Sequence, residues 1–101
     1  RHRAQDWLSA AAAFGKIGEN ERVAECLDNA YQAAPTSFVV RLEYGAWLLR
    51  NARTSEASRH LEWCQRMRPD HAKLNDLLSK LNRATRPREI QQASAETRGR
   101  F

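Results

Sequence analysis

The sequence has little of what breaks a helix or builds a sheet. Only 4 Gly and 3 Pro occur in 101 residues, and Val and Ile are sparse, which argues against an all-β fold. Low Gly and Pro also exclude collagen-like and Pro/Gly-rich disordered classes. No apolar run approaches the roughly 20 residues a membrane span requires, so no membrane insertion is expected. The first residues do not read as a basic stretch followed by an apolar run. The chain starts at Arg1, not Met, and is expected to be a piece of something longer.

Two cysteines are too few for a disulfide framework. Cys26 and Cys64 both fall inside apolar helical patterns, as small buried hydrophobes do. No oxidising compartment is required, and a reducing cytoplasm is the expectation. His60 and Cys64 stand one helical turn apart, and Cys26 precedes His60 by one 34-residue period. Zinc wants four such ligands, and only three are at hand, so neither a metal nor a cofactor is expected. Catalytic signatures are missing too: no HExxH, no Ser/His/Asp order, no phosphate-cradling glycine loop. Gly15-Lys16-Ile17-Gly18 lacks a preceding strand and reads as a helix end. The chain is not expected to be an enzyme.

Charge of one sign is in modest excess. Seventeen Lys and Arg face twelve Asp and Glu, net +5. Residues 1–84 carry 13 basic and 10 acidic side chains, and residues 85–101 carry four and two. Both signs are interspersed and no basic run reaches five, the pattern of a solvated surface and not of a nucleic-acid patch. Nucleic acid is therefore the lesser reading.

What is abundant is Ala, Leu, Arg and Glu, all good helix formers. Five helical segments follow from the 3.6-residue apolar period. The first covers about 4–17, with Trp7, Leu8, Ala11 and Phe14, and Gly18 ends it in a left-handed turn. A second covers about 21–34, with Asn20 as its cap, and Pro35 closes it. The third covers about 38–50, capped by Thr36 or Ser37. The fourth, about 55–68, is capped by Thr54 and closed by Pro69. The fifth, about 71–84, is capped by Asp70 and carries Leu74, Leu77, Leu78 and Leu81. The apolar period then stops, and 85–101 reads as a flexible basic tail or linker.

A shift of 34 residues superimposes the two helix pairs. Leu8 falls on Leu42, Ala11 on Gly45, Phe14 on Leu48, Val23 on Ala57, Leu27 on Leu61, Ala30 on Cys64 and Pro35 on Pro69. Large meets large or medium, and small meets small, as repeated packing of one unit requires. These positions resemble the tetratricopeptide (TPR) repeat, with Trp7, Ala10, Ala11, Phe14, Val23, Leu27, Ala30 and Pro35 in the first unit. Arg41, Tyr44, Gly45, Leu48, Ala57, Leu61, Cys64 and Pro69 take the same places in the second. Arg41 stands where the pattern has Trp, and Ala10 where it has Leu. The length of 34 and the closing prolines set this chain apart from the 35-residue RNA-reading pentatricopeptide class.

The resemblance implies an all-α, TPR-like α-solenoid: two antiparallel helix pairs plus a C-terminal capping helix. Residues 1–84 would form the repeat domain, with repeat 1 about 4–37, repeat 2 about 38–71 and the capping helix about 71–84. Since about three units are usually needed to bury a continuous core, further repeats upstream or self-association are expected. The implied role is a scaffold binding another protein or peptide. Its alternatives are an RNA- or DNA-associated repeat and a homo-oligomerisation module. First helices would line the groove, through Leu8, Ala12 and Lys16, then Leu42, Glu43, Ala46, Leu49 and Arg50, then Lys73, Lys80 and Arg83. The chaperone-tail carboxylate clamp would fall on Leu8, Ala12, Glu43, Lys73 and Leu77, where only Lys73 agrees. Trp63, at a normally outward position, is a possible exposed contact anchor.

Overall fold

Regular apolar spacing on strong helix formers is borne out by a computed structural model, which describes the backbone of residues 3–99 and the side chains of residues 3–85. Its described residues are helical and connected by tight turns, without strands. The elements are α1 (Ala4–Lys16), α2 (Asn20–Ala33), α3 (Phe38–Arg50), α4 (Thr54–Met67) and α5 (Ala72–Gly99). α1 and α3 have 13 residues and α2 and α4 have 14. Adding 34 to the limits of α1 and α2 gives those of α3 and α4, and one more step from Phe38 gives the start of α5. The all-α class is therefore observed, and so is a helical-repeat organisation.

The turns repeat as faithfully as the helices. At the end of α1, Gly18 has φ 76°, and the Glu19 N–H reaches back to the Phe14 carbonyl at 3.0 Å. This is a Schellman closure, satisfying carbonyls that a helix end leaves open. At the end of α3 the same bond joins Arg53 N–H to the Leu48 carbonyl at 2.9 Å, with Ala52 at φ 60° in glycine's place. That conformation crowds a Cβ, so the second unit carries strain the first avoids. α2 and α4 stop two residues before Pro35 and Pro69, as proline's effect on its predecessor demands.

Packing follows the same period. α1 lies on α2 and α3 on α4, while α2 meets α3, and α5 meets α4 and α3. One core runs through all five helices, with Leu48, Leu61 and Leu74 sealed from solvent. Each such leucine contributes about 1.5–3 kcal/mol. Gly45 marks the closest approach: a Cβ there would lie 2.7 Å from Leu61 Cδ2. No larger residue fits without moving a side chain that is itself locked in the core.

Three expected caps are different in the structure. Asn20 is the first residue of α2, and Glu19 precedes it as N-cap without a side-chain bond. Arg53, not Thr54, flanks α4, and its guanidinium chelates Glu56 at 2.9 Å through both nitrogens. His71, not Asp70, caps α5, its Nδ1 accepting from the Leu74 N–H at 3.3 Å. Ser37 caps α3 as expected, accepting from the Val40 N–H at 3.3 Å. The fifth helix continues past the expected limit near residue 84, its backbone helical to Gly99. Side chains of the expected flexible tail from residue 86 on, and residues 100 and 101 altogether, lie outside the described residues.

Candidate functional site: the groove between the first helices

A groove of about 640 Å³ opens where α1 runs beside α3. Leu8, Ala12, Gln5 and Ser9 form its α1 wall, with Lys16 at the end of that helix. Glu43, Trp47 and Arg50 form the α3 wall, and Asn20 and Asn51 close the end near the helix C-termini. Lys16 and Arg50 are repeat equivalents, each the last residue of its helix. There they complement the negative pole of the dipole, and neither forms an ion pair among the described residues.

The closed end is held by a set of polar bonds between the units. Trp47 Nε1 donates to Asn20 Oδ1 at 3.3 Å, and Asn20 Nδ2 donates to Asn51 Oδ1 at 2.8 Å. Asn51 Nδ2 in turn donates to the Trp47 carbonyl at 2.8 Å. This explains why Asn20 does not serve as a cap: its amide is engaged by the next unit. At the opposite end Lys73 Nζ pairs with Glu43 at 2.7 Å, both partly exposed, so the one groove carboxylate is already neutralised.

Five of the expected groove residues therefore come together: Leu8, Ala12, Lys16, Glu43 and Arg50. Leu42 and Ala46, expected on the floor, lie in the core at 5% and 3% exposure instead. Their helix is covered from both sides, which α1 is not. Leu49 is half-buried against the core outside the groove. Lys80 and Arg83 are exposed on α5 away from it, with Lys80 paired to Asp76 at 3.3 Å. Leu77 is buried. Gln5 and Ser9 line the groove too, as their helical face shared with Leu8 and Ala12 leads one to expect, whereas Asn20, Trp47 and Asn51 are lining residues that sequence reasoning missed.

Trp63 is not an exposed anchor. It is half-buried against the core, and the Arg41 guanidinium lies 4.5 Å from its ring centre. Arg41 also lies 5.0 Å from the Tyr31 ring centre, and its Nε donates to the Pro35 carbonyl at 2.7 Å. So the Arg that departs from the Trp of the repeat pattern is gripped by two aromatic rings, a cation–π arrangement. Beside it, His60 stacks on Tyr44 at 4.8 Å and meets Tyr31 edge-on at 5.0 Å. His60 is buried, and its Nδ1 has no hydrogen-bond partner. Burial, and then the Arg41 charge, push its pKa below the ordinary 6.5.

Neither thiol is activated. Burial pushes the Cys64 thiol up to about 11, and Cys64 donates weakly to the Phe38 carbonyl at 3.8 Å. Burial, followed by the Glu25 charge, raises Cys26 as well. A protonated thiol is a poor metal ligand and a poor nucleophile. Among the described residues no three His, Cys, Asp or Glu side chains gather as metal ligands, and no helix is long and apolar enough to cross a membrane.

No protein-family model matches the chain, and neither a curated protein nor a solved structure matches it.

Proposed function

We propose that the chain is a segment of a TPR-like α-solenoid, a non-catalytic scaffold that binds a peptide of another protein in the groove between α1 and α3. The observation that carries this reading is the groove's make-up: an apolar wall of Leu8 and Ala12 beside two unpaired cations, Lys16 and Arg50. With Glu43 neutralised by Lys73, that lining favours a short segment carrying an apolar side chain next to Asp or Glu. The 34-residue recurrence of helices and turns supports the repeat family, and the pattern residues supply the resemblance.

The nucleic-acid alternative loses ground on the arginines. Arg22, Arg41, Arg53 and Arg68 each lie over an aromatic ring of the chain itself, at 4.5–5.7 Å. Side chains engaged in this way are poorly placed to track phosphates. A library of short peptides varying acidic and apolar positions, titrated by calorimetry, tests the reading. Binding of acidic-apolar peptides should weaken about tenfold or more in Lys16→Glu/Arg50→Glu. Binding indifferent to that double change, or steeply salt-dependent binding of RNA that exceeds an equally basic control, would reject it.

A further inference from the structure

The closed end of the groove differs from the rest of it in hydrogen-bonding character. Four side chains line it: Lys16, Asn20, Arg50 and Asn51. Both amide oxygens are occupied, Asn20 Oδ1 by the Trp47 indole and Asn51 Oδ1 by Asn20 Nδ2. Carbonyls of the two helix ends are taken up as well. Phe14 and Gly15 accept from the turn after α1, and Trp47, Leu48 and Leu49 accept from the turn after α3. What the four side chains still offer is donors. Asn20 Nδ2 and Asn51 Nδ2 each use one N–H and keep a second. Lys16 and Arg50 keep all of theirs among the described residues. Glu19 and Glu21, at the start of α2, do not line the groove, and Glu43 is held by Lys73.

We propose, resting on the peptide-groove reading above, that this end is a phosphoryl site, and that the acidic group the groove takes is a phosphorylated serine or threonine of the partner peptide. Charge separates phosphate from carboxylate here. A single Asp or Glu brings one negative charge and two oxygens, which leaves one of the two cations unmatched. A phosphoserine brings about −1.5 to −2 near neutral pH, on three terminal oxygens. The planar fork of Arg50 matches two of those oxygens, and Lys16 supplies a point charge. The spare amide N–H groups of Asn20 and Asn51 are donors for the third. With no free acceptor among the four side chains, the same end disfavours the ammonium or guanidinium of a basic peptide. The bonds from Trp47 to Asn20 and from Asn20 to Asn51 orient both amides before a ligand arrives, which lowers the ordering cost of binding. Leu8 and Ala12, on the α1 wall, receive an apolar neighbour in the same peptide, so a bare polyanion uses only part of the site.

Calorimetric titration of the full chain tests it, with the acidic-apolar peptide library above remade so that phosphoserine or Ser replaces the acidic residue. The phosphoserine form should bind at least about tenfold tighter than the Ser form, and about threefold tighter than the Asp or Glu form, near neutral pH. Its advantage over Asp should shrink towards about pH 5.5, where the phosphate takes up a second proton. Arg50→Lys keeps the charge and removes the fork, and should cut the phosphoserine preference about threefold. Lys16→Gln/Arg50→Gln should abolish the preference; both positions are exposed, so helix content and melting temperature should persist. Asp or Glu forms that bind as tightly as phosphoserine overturn the phosphoryl site and leave the groove reading standing. A library without a binder, acidic and phosphorylated forms alike, overturns both. A preference that survives Lys16→Gln/Arg50→Gln, or a phosphopeptide that a short RNA displaces equally well per phosphate, also overturns the site.

Discussion

The two helix pairs share one backbone and differ in what surrounds it. Phe14 is half-buried at the edge, whereas its equivalent Leu48 is sealed from solvent. Trp7 becomes Arg41, Cys26 becomes His60, and Gly18 becomes Ala52. The first unit keeps apolar or conformationally easy residues and faces open surroundings. The second is enclosed by neighbours, and it tolerates an arginine between rings, a buried imidazole and a left-handed alanine. Position in the stack, more than position in the unit, decides what a residue contributes.

The largest test of that contrast compares Leu48→Ala with Phe14→Ala by denaturant unfolding. Leu48→Ala should cost about 3–5 kcal/mol, because its cavity has no route to collapse. Phe14→Ala should cost about half as much despite removing more atoms. Equal costs would break the comparison. Next comes Arg41→Met, which keeps much of the stem and removes the charge between Tyr31 and Trp63. A loss of about 1–2 kcal/mol is expected, with Trp7→Met at the equivalent place as the comparison in the first unit.

The His60 site adds a pH dependence on the acid side of neutrality that a thiol such as Cys26 cannot supply. The pKa of His60 is lower in the folded chain than the ordinary 6.5. Above that value both folded and unfolded states hold a neutral ring. As pH falls through it, the unfolded chain takes up the proton first, so stability falls. The slope is at most about 1.4 kcal/mol per pH unit. His60→Cys, copying the first unit, should flatten the dependence between pH 7 and 5. An unchanged slope would assign the effect elsewhere.

The smallest expected effect concerns the Schellman turns. Ala52→Gly should stabilise by about 0.5–1 kcal/mol, since glycine takes the left-handed conformation without a Cβ clash. Gly18→Ala should destabilise by a similar amount. Thermal melts of both variants suffice, and the same sign for both would contradict the equivalence of the turns.

Much of the fold was legible because apolar spacing and helix-stopping residues are local signals. The 3.6-residue stripe located five helices, and the prolines and Gly18 bounded them. The caps were less legible. Asn20 is drawn to Trp47 and Asn51, which are 27 and 31 positions away, and no local rule reports such a partner. The caps of α4 and α5 are one residue off, at Arg53 and His71, because the preceding turn sets where each helix starts. Half of the groove was legible, since Gln5, Leu8, Ser9, Ala12, Lys16, Glu43 and Arg50 follow from helical facing. Leu42 and Ala46 share that facing yet are buried, because α3 has neighbours on more sides than α1. Trp63 stood out in the sequence, but its ring is occupied by an arginine from the preceding helix.

The recurrence of the turns at Gly18 and Ala52 carries a consequence for how such a chain can change length. Each turn hands the next helix a fixed starting carbonyl and a fixed direction. An insertion of 34 residues between Arg53 and Thr54 would therefore meet matching junctions on both sides. An insertion of 30 or 38 would break the register that sets Leu61 against Gly45, where a Cβ on the facing helix has no room. Growth and loss by whole units is the edit this architecture accommodates, and the sequence can drift freely within a unit only where that spacing is kept.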